Sequence, residues 1–408
     1  MLRYNNHMHD FFSKRSEAGE AAPNVLALIR EQFSGEQRPL KDLSQSNPTK
    51  VGLSHAPELF SLKNPENAVY TPEPKGLFHS RAALSEHLAR EQRKISPENI
   101  FLCASTSEGY AWLFKLLCDA GDIVLIPKPG YPLFEHLAAL EHVRTMAYPL
   151  EYAHSSGWHI EVAEMESMLA SEYGGRIKAL IVINPNNPTG SYIRKGERSA
   201  ILRLCERYGM ALIADEVFFD FPLDDAAERE SFIGEERVLT FVLDGLSKRL
   251  GMPQMKLGWI AVSGPPQEAL RAKKRLELIA DTFLSAGTPI MNALPSLFAQ
   301  ESAFLQELLT RIRENYLIYR TILEQQGSPH RVLACQGGWT ALIESPAFFE
   351  EEKIAGLLLQ QKGISAQPGF FFDMERGVHF AFSLIIPQEW ATSWCREYKE
   401  FFDALQTQ

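Results

Sequence analysis

One lysine, Lys248, has the surroundings of a catalytic amine. It lies in the stretch LDGLSKRLGMPQMKLGW (243–259), between the apolar runs 238–243 and 257–262. The pattern predicts a loop between two buried strands, where a lysine amine is placed to act as a nucleophile and to form a Schiff base with a carbonyl. Ser-Lys alone equally fits a plain turn with solvated lysines, so the assignment depends on other parts of the chain.

A run of three hydroxyl side chains, Ser105, Thr106 and Ser107, follows a predicted strand (99–104) and precedes a predicted helix (108–118). Hydroxyls, free backbone N–H groups and the helix dipole together make an anion site suited to phosphate. Ser and Thr also cap helices routinely, and taken alone the cap is the better interpretation.

Two further loops carry groups that suit a flat, polar ring. Tyr131 is fixed by Pro129 and Pro132 and could stack on such a ring. Asn187 lies in NPNNPTG after the apolar run 177–183, and its amide can donate to a ring oxygen. A core tyrosine and an ordinary turn are the simpler alternatives.

Asp215 directly follows the apolar residues ALIA (211–214). A carboxylate at the end of a buried strand is costly unless it meets a cation. A protonated pyridine nitrogen is such a cation, and an acidic partner there makes the ring an electron sink. A helix N-cap would explain a lone Asp, but the loops together follow the order phosphate, stacking, ring oxygen, ring nitrogen and Schiff base. That order indicates pyridoxal 5'-phosphate (PLP).

The elements around these loops alternate between strand and helix, which predicts an α/β fold with a mainly parallel, doubly wound sheet. Ligands bind such sheets outside the carboxyl ends of the strands, where all these loops fall. We predict three parts: residues 1–68 as an N-terminal arm and part of a small domain, 69–298 as the large cofactor-binding domain, and 299–408 as a connecting helix and a smaller α+β domain.

Composition narrows the class of protein. The 408 residues carry a net charge of −10 with no basic run, so a nucleic-acid partner is not expected. Five scattered cysteines without a C-x-x-C pair suit a reduced compartment. The N-terminus lacks the apolar core of a signal peptide, and no apolar run is long enough to span a membrane. We expect a cytoplasmic protein without a metal site.

The chain resembles the class I/II aminotransferases, PLP enzymes of fold type I related to aspartate aminotransferase. The resemblance runs from about Asp42 to Ser383 and depends on NPNNPTG, ADEVF and SKRLGMPQMKLGW. It implies that Lys248 forms the internal aldimine and then moves a proton between substrate Cα and cofactor C4′. It also implies that Tyr70 reaches the phosphate of a partner subunit, and hence a homodimer with shared active sites. The other implied cofactor contacts are Ser105, Thr106, Ser107, Tyr131, Asn187, Asp215, Ser247 and Lys256.

Three departures from the family pattern concern the cofactor. Lys256 stands where the family has a phosphate-binding arginine, which keeps the charge and loses the bidentate fork. Gly245 replaces a Ser or Thr three residues before the lysine. Phe218 replaces a tyrosine that donates to the ring oxygen, and this change predicts a raised pKa of the aldimine.

The fourth departure concerns the substrate. Ala381 occupies the position of the arginine that holds the substrate α-carboxylate in the family. Either another cation binds the carboxylate or the substrate carries none, and we expect the first because relocating a cation keeps the family's chemistry. The candidate cations are Arg376, His379, Lys50 and Arg249. The aromatic residues Phe370, Phe371, Phe372 and Trp339 either contact the substrate side chain or form part of the core.

The sequence therefore predicts a PLP-dependent aminotransferase that moves an amino group from an amino acid or amine to an oxo acid. A C–S β-lyase on the same fold is the alternative, because both reactions pass through a carbanion at Cα and share the cofactor contacts.

Overall fold

A computed structural model describes residues 13, 15, 23–53, 63–225 and 227–406. No helix in these ranges is both long and apolar enough to cross a membrane. The helices are α1 (Val25–Gly35), α2 (Phe78–Arg90), α3 (Thr106–Leu117), α4 (Leu133–Leu140), α5 (Val162–Ala170), α6 (Lys195–Tyr208), α7 (Leu246–Arg249), α8 (Pro266–Phe283), α9 (Thr288–Leu323), α10 (Glu351–Lys362) and α11 (Gln388–Gln406). The strands are β1 (Lys41–Asp42), β2 (Ile100–Cys103), β3 (Ile123–Lys128), β4 (Arg144–Ala153), β5 (Gly157–Ile160), β6 (Ile177–Ile183), β7 (Ala211–Asp215), β8 (Thr240–Gly245), β9 (Gly258–Ser263), β10 (Arg331–Val332), β11 (Thr340–Ser345), β12 (Ile364–Ser365), β13 (Gln367–Pro368) and β14 (Val378–Ser383).

The large sheet has eight strands in the order β2-β9-β8-β7-β6-β3-β4-β5. Its five central strands, β8 to β4 in that order, are parallel, whereas β2, β9 and β5 pair antiparallel at the edges. The apolar run of β6 shows why the parallel part is buried on both faces. Leu180 and Val182 pack into one core cluster, and Ile181 and Ile183 into the cluster on the opposite face.

A smaller antiparallel sheet in the order β10-β11-β14-β13 lies in the C-terminal part of the chain. Its core includes residues of α9 such as Leu308 and Ile312, together with the cores of α10 and α11. The N-terminal segment joins it, because β1 pairs with β12 and the Leu43 carbonyl accepts the backbone N–H of Ser383 at 2.6 Å. Helix α9 runs without a break past the predicted boundary at 298/299, so the domain limits stay a prediction.

Candidate active site

A cavity of about 560 Å³ lies at the carboxyl ends of β6, β7 and β8 and extends to β11, β13 and β14 of the smaller sheet. The cavity therefore lies at the edge of the sheet where the strand-end rule predicts a ligand site. Six of the ten predicted site residues line this cavity: Thr106, Tyr131, Asn187, Asp215, Ser247 and Lys248.

Asp215 is a buried carboxylate at the end of β7. The hydroxyl of Tyr110 donates to its Oδ2 at 3.0 Å, and the backbone N–H of Val217 donates to its Oδ1 at 3.2 Å. Burial raises the pKa of Asp215 from 3.8 to about 6, although these two donors and nearby Lys248 act in the opposite direction. No cation among the described residues forms an ion pair with this carboxylate, and a protonated ring nitrogen would complete its environment.

Lys248 lies in the short helix α7, with its Nζ 5.4 Å from the ring centre of Phe218 and 5.2 Å from that of Trp339. Burial among these groups lowers the pKa of the amine, and the charge of Asp215 only partly opposes this shift. A lysine with a lowered pKa spends more time as the neutral amine, which is the nucleophilic form.

Two glycines explain why the chain departs from the family at residue 245. Gly245 and Gly258 are paired between β8 and β9, and a Cβ at Gly245 would lie 3.0 Å from the Gly258 Cα and from the Leu257 carbonyl. A Cβ at Gly258 would in turn lie 3.1 Å from the backbone N of Thr106. The glycine pair therefore lets β8, which leads into α7 and Lys248, pack closely on β9, and lets β9 approach the N-terminus of α3, the predicted phosphate site.

The residues on either side of Thr106 have other positions. The Ser105 hydroxyl accepts the backbone N–H of Glu108 at 3.2 Å and so caps α3. Ser107 lies in the first turn of that helix, and neither residue lines the cavity. Their assignment to the phosphate stays a prediction.

In NPNNPTG the three asparagines have separate functions. The Oδ1 of Asn184 accepts the backbone N–H of Ile193 at 3.0 Å, and the Oδ1 of Asn186 accepts the Thr189 hydroxyl at 3.0 Å. These two side chains fix the loop, and Asn187 lines the cavity. Tyr131 lines it from the opposite loop and packs edge-to-face on Phe134, with ring centres 5.6 Å apart.

Lys256 and Tyr70 are not brought to this cavity. Lys256 is exposed and has a left-handed backbone conformation with φ 53°. Tyr70 is 70% exposed and lies outside the cavity of its own chain. The predicted phosphate contacts of both residues stay predictions.

Arg249 is not free to hold a substrate carboxylate. It is 1% exposed, and its guanidinium pairs with Asp220 at 2.5 Å, with Glu301 at 2.7 Å and with Glu91. His87 lies beside the two glutamates, and the three side chains are close enough to share a metal ion. The guanidinium already pairs both carboxylates, so we assign this cluster to the buried ion-pair network.

The other three candidate cations also lie off the cavity. Lys50 and Arg376 are exposed, and His379 is buried with its imidazole pKa lowered by burial. The expectation that one of the four named cations binds the substrate carboxylate stays a prediction, because none of the four lines this cavity in the described residues of one subunit. Of the aromatic candidates, Trp339, Phe371 and Phe372 line the cavity and Phe370 does not.

Tyr110 is the site residue that sequence reasoning missed. It follows Thr106 by four positions, so the two lie one turn apart on the same face of α3. Helical spacing from a predicted phosphate loop could have identified it. Its partner, Asp215, could not be read from the sequence because the two are 105 positions apart.

PLP fits these residues. The cavity places a buried amine of lowered pKa, a buried carboxylate of raised pKa and an aromatic side chain around one space. A parallel sheet bearing this set at its carboxyl edge defines a PLP enzyme of fold type I. Solved structures with this fold include an aminotransferase from Escherichia coli (TM-score 0.84, 22% identity, 96% of this chain and 98% of that one). An alanine aminotransferase from Pyrococcus furiosus has the same TM-score and identity, with 95% and 99% covered.

Residues 37–382 match the family model described as aminotransferase class I and II, and the chain belongs to this family. It is a PLP-dependent aminotransferase, as predicted, and the lyase alternative is not favoured. Glutamate-pyruvate aminotransferase AlaA of Escherichia coli is 27% identical over 288 residues, covering 68% of this chain and 70% of the relative. Nicotianamine aminotransferase 1 of Oryza sativa is 25% identical over 392 residues, covering 89% and 76%.

Proposed function

We propose that Lys248 and Asp215 carry a transamination in which an amino acid or amine gives its amino group to an oxo acid. The observation that supports this most is the pair itself: a buried amine with a lowered pKa and a buried carboxylate with a raised one, both facing one cavity. Relatives named for glutamate, pyruvate and alanine supply the first donors and acceptors to test.

Each residue has a distinct task in this proposal. Bound PLP would supply an electron-withdrawing ring joined to the substrate nitrogen. Lys248, as a neutral amine, would take the proton from the substrate Cα and deliver it to C4′ of the cofactor. Asp215 would keep the ring nitrogen protonated, and Tyr131 would stack on the ring. Thr106 and Ser247 would face the phosphate, and Asn187 the ring oxygen.

Visible absorption of the purified, PLP-loaded protein tests the proposal directly. Amino compounds added one at a time should remove the visible band of the cofactor, and an oxo compound should restore it. Release of ammonia and pyruvate from a cysteine conjugate, without need for an acceptor, would instead establish the lyase.

We propose further that the enzyme is a homodimer in which Tyr70 serves the active site of the partner subunit. The exposure of Tyr70 supports this, because a tyrosine 70% exposed in one subunit is available to another. Tyr70→Ala and Lys248→Ala should each be poorly active as pure dimers. In an equimolar mixture whose subunits have exchanged, about half of the dimers are mixed, and one of the two sites in each mixed dimer is native. Activity should therefore recover to about one quarter of the wild-type value. Activity equal to the mean of the two variants would contradict shared sites.

Phe218→Tyr tests the missing phenol. Phe218 lies beside Lys248 and its ring packs against Trp339 at 5.5 Å. A tyrosine hydroxyl there should donate to the ring oxygen and favour its charged form, lowering the pKa of the Lys248–cofactor linkage by about one unit. The measurement is a pH titration of the visible band, with Phe221→Tyr as the matched control, and a pKa that does not fall would refute the account.

We propose a cytoplasmic location. The five cysteines, all within the described ranges, form no disulfide there, which suits a reducing compartment. Cell fractionation with an antibody to the protein tests this, and recovery outside the cytoplasmic fraction would contradict it.

A further inference from the structure

Among the described residues of one subunit, the cavity offers no free cation to a substrate. Across residues 23–53, 63–225 and 227–406, Lys248 is the only cationic side chain that lines it and Asp215 the only acidic one. Both are engaged by the proposed function, Lys248 with the proton of the substrate Cα and Asp215 with the ring nitrogen. A carboxylate on the reacting carbon would therefore enter the cavity without a counter-charge.

The strand register shows that the cation has not moved to a neighbouring strand. Ala381 on β14 pairs with Leu342 on β11 and with Gln367 on β13, and paired residues on adjacent strands point to the same face. Two positions back along β14 lies His379, a buried imidazole whose pKa is lowered because burial disfavours its charged form. Its backbone N–H donates to the Glu351 carboxylate at 2.6 Å, which places negative charge nearby.

Two of the hydroxyls near Ala381 are committed as donors. Ser383 donates its hydroxyl hydrogen to the Gln45 carbonyl at 2.7 Å, and Ser44 donates to Asp42 at 2.6 Å. Their free lone pairs can accept from a substrate N–H or O–H and offer nothing to a carboxylate. Arg30 lies near Ser44, but its guanidinium pairs with Asp42 at 3.1 Å.

The rest of the wall combines uncharged polar side chains, among them Ser46, Thr340 and Gln367, with apolar and aromatic ones. Leu133, Phe218, Trp339, Phe371 and Phe372 line the cavity around the uncharged position of Ala381. Burying an apolar group of the substrate against such a surface is favourable. Burying an unpaired carboxylate there costs free energy, because the charge loses its water.

We infer that the amino donor is a primary amine with an apolar, aromatic-sized group and no carboxylate on the reacting carbon, and that the preferred acceptor is the corresponding type of aldehyde or ketone. This inference rests on the proposed transamination. The exchange balances without another reagent: the donor's carbon loses its nitrogen and two electrons and becomes a carbonyl. The acceptor carbonyl gains the nitrogen and those electrons, and its oxygen leaves as the water that hydrolyses the donor.

Matched pairs of donors that differ only in the carboxylate test the inference. The PLP-loaded protein is mixed with 2-phenylethylamine or L-phenylalanine, and with 3-methylbutylamine or L-leucine, and the loss of the visible band is timed. We expect kcat/KM to favour each amine by about 30-fold or more, because an unpaired buried charge carries a penalty of that order. In the reverse half-reaction, phenylacetaldehyde should act better than phenylpyruvate.

Ala381→Arg should reverse the preference, and Ala381→Met, which adds bulk without charge, should not. A binding measurement complements the rate comparison. Calorimetric titration with 3-phenylpropanoate should detect binding to Ala381→Arg and little binding to the wild type. Gln367→Arg, on the neighbouring strand at an exposed position, repeats the test should Ala381→Arg misfold.

Equal or faster reaction of the amino acids would overturn the inference and leave transamination intact. Loss of that reaction in Arg30→Ala would then identify Arg30 as the anchor. Failure of every amine and amino acid to change the band would instead refute the proposed function, and the inference with it.

Discussion

Lys248→Ala is expected to lower the rate of transamination by about 10⁴-fold or more, because one side chain supplies both the nucleophile and the proton carrier. The structure provides the reason for so large an effect. The amine is buried between Phe218 and Trp339, and no other amine lines the described cavity. The half-reaction of the PLP-loaded variant, followed by absorption, gives the rate.

Two controls separate chemistry from folding. Lys274→Ala removes an exposed lysine on α8 and should leave the rate unchanged. Lys248→Arg keeps a positive charge but has no neutral amine near pH 7, so it should be as inactive as the alanine variant.

Small primary amines added to Lys248→Ala should restore part of the proton transfer, with rates that rise with amine basicity. Activity of Lys248→Ala above about one tenth of the wild-type value, without added amine, would remove Lys248 from the reaction.

The sequence could indicate which edge of the sheet carries the strand-end residues, because their positions follow from one rule. Asp215 ends a buried strand and Asn187 follows another, so the parallel order alone brings them to one edge. Lys248 follows β8 in the same way. These predictions needed only the apolar runs and the polar residues that end them.

Contacts between distant parts of the chain were beyond the sequence. Arg249 is adjacent to Lys248, but consecutive helical residues point about 100° apart, and its charge meets Glu91 just after α2 and Glu301 in α9. The reason for Gly245 became visible only when its antiparallel pairing with Gly258 was known. Side-chain pairing across elements depends on register, which periodicity does not reveal.

The loss of the arginine at position 381 illustrates the same limit. The sequence identified Ala381 as a departure and offered four replacement cations, each of which was close along the chain or near a motif. The structure places those four elsewhere, two of them exposed and two buried in other surroundings. Proximity in sequence was a poor guide because β14 pairs with β11 and β13, and these neighbours carry no charge at that level.

Asp215→Asn is expected to reduce transamination by roughly 10³-fold while making the cofactor-free protein more stable near pH 8. Activity falls because a neutral amide no longer keeps the ring nitrogen protonated. Stability rises because the wild-type carboxylate is buried with the neighbours Tyr110 and Val217 as donors but without a close cation.

The direction in which stability changes with pH follows from the raised pKa of Asp215. Between pH 3.8 and about 6 the folded protein keeps a proton on Asp215 that the unfolded chain has released. The free energy of unfolding therefore falls as the pH rises through this window, by about 3 kcal/mol in total, and stays lowered above it. Asparagine does not titrate, so Asp215→Asn lacks this loss.

Urea unfolding of the cofactor-free proteins at pH 4 and pH 8 measures the difference. The variant should gain stability relative to the wild type at pH 8 and show little gain at pH 4. Tyr110→Phe is the matched control: it keeps the carboxylate, removes one donor to it, and should raise the pKa of Asp215 further and lose stability at pH 8.

PLP should stabilise the wild type against urea more than it stabilises Asp215→Asn, since the ring nitrogen supplies the cation that the buried carboxylate lacks. Equal stabilisation of both proteins by PLP would show that Asp215 does not meet the ring nitrogen.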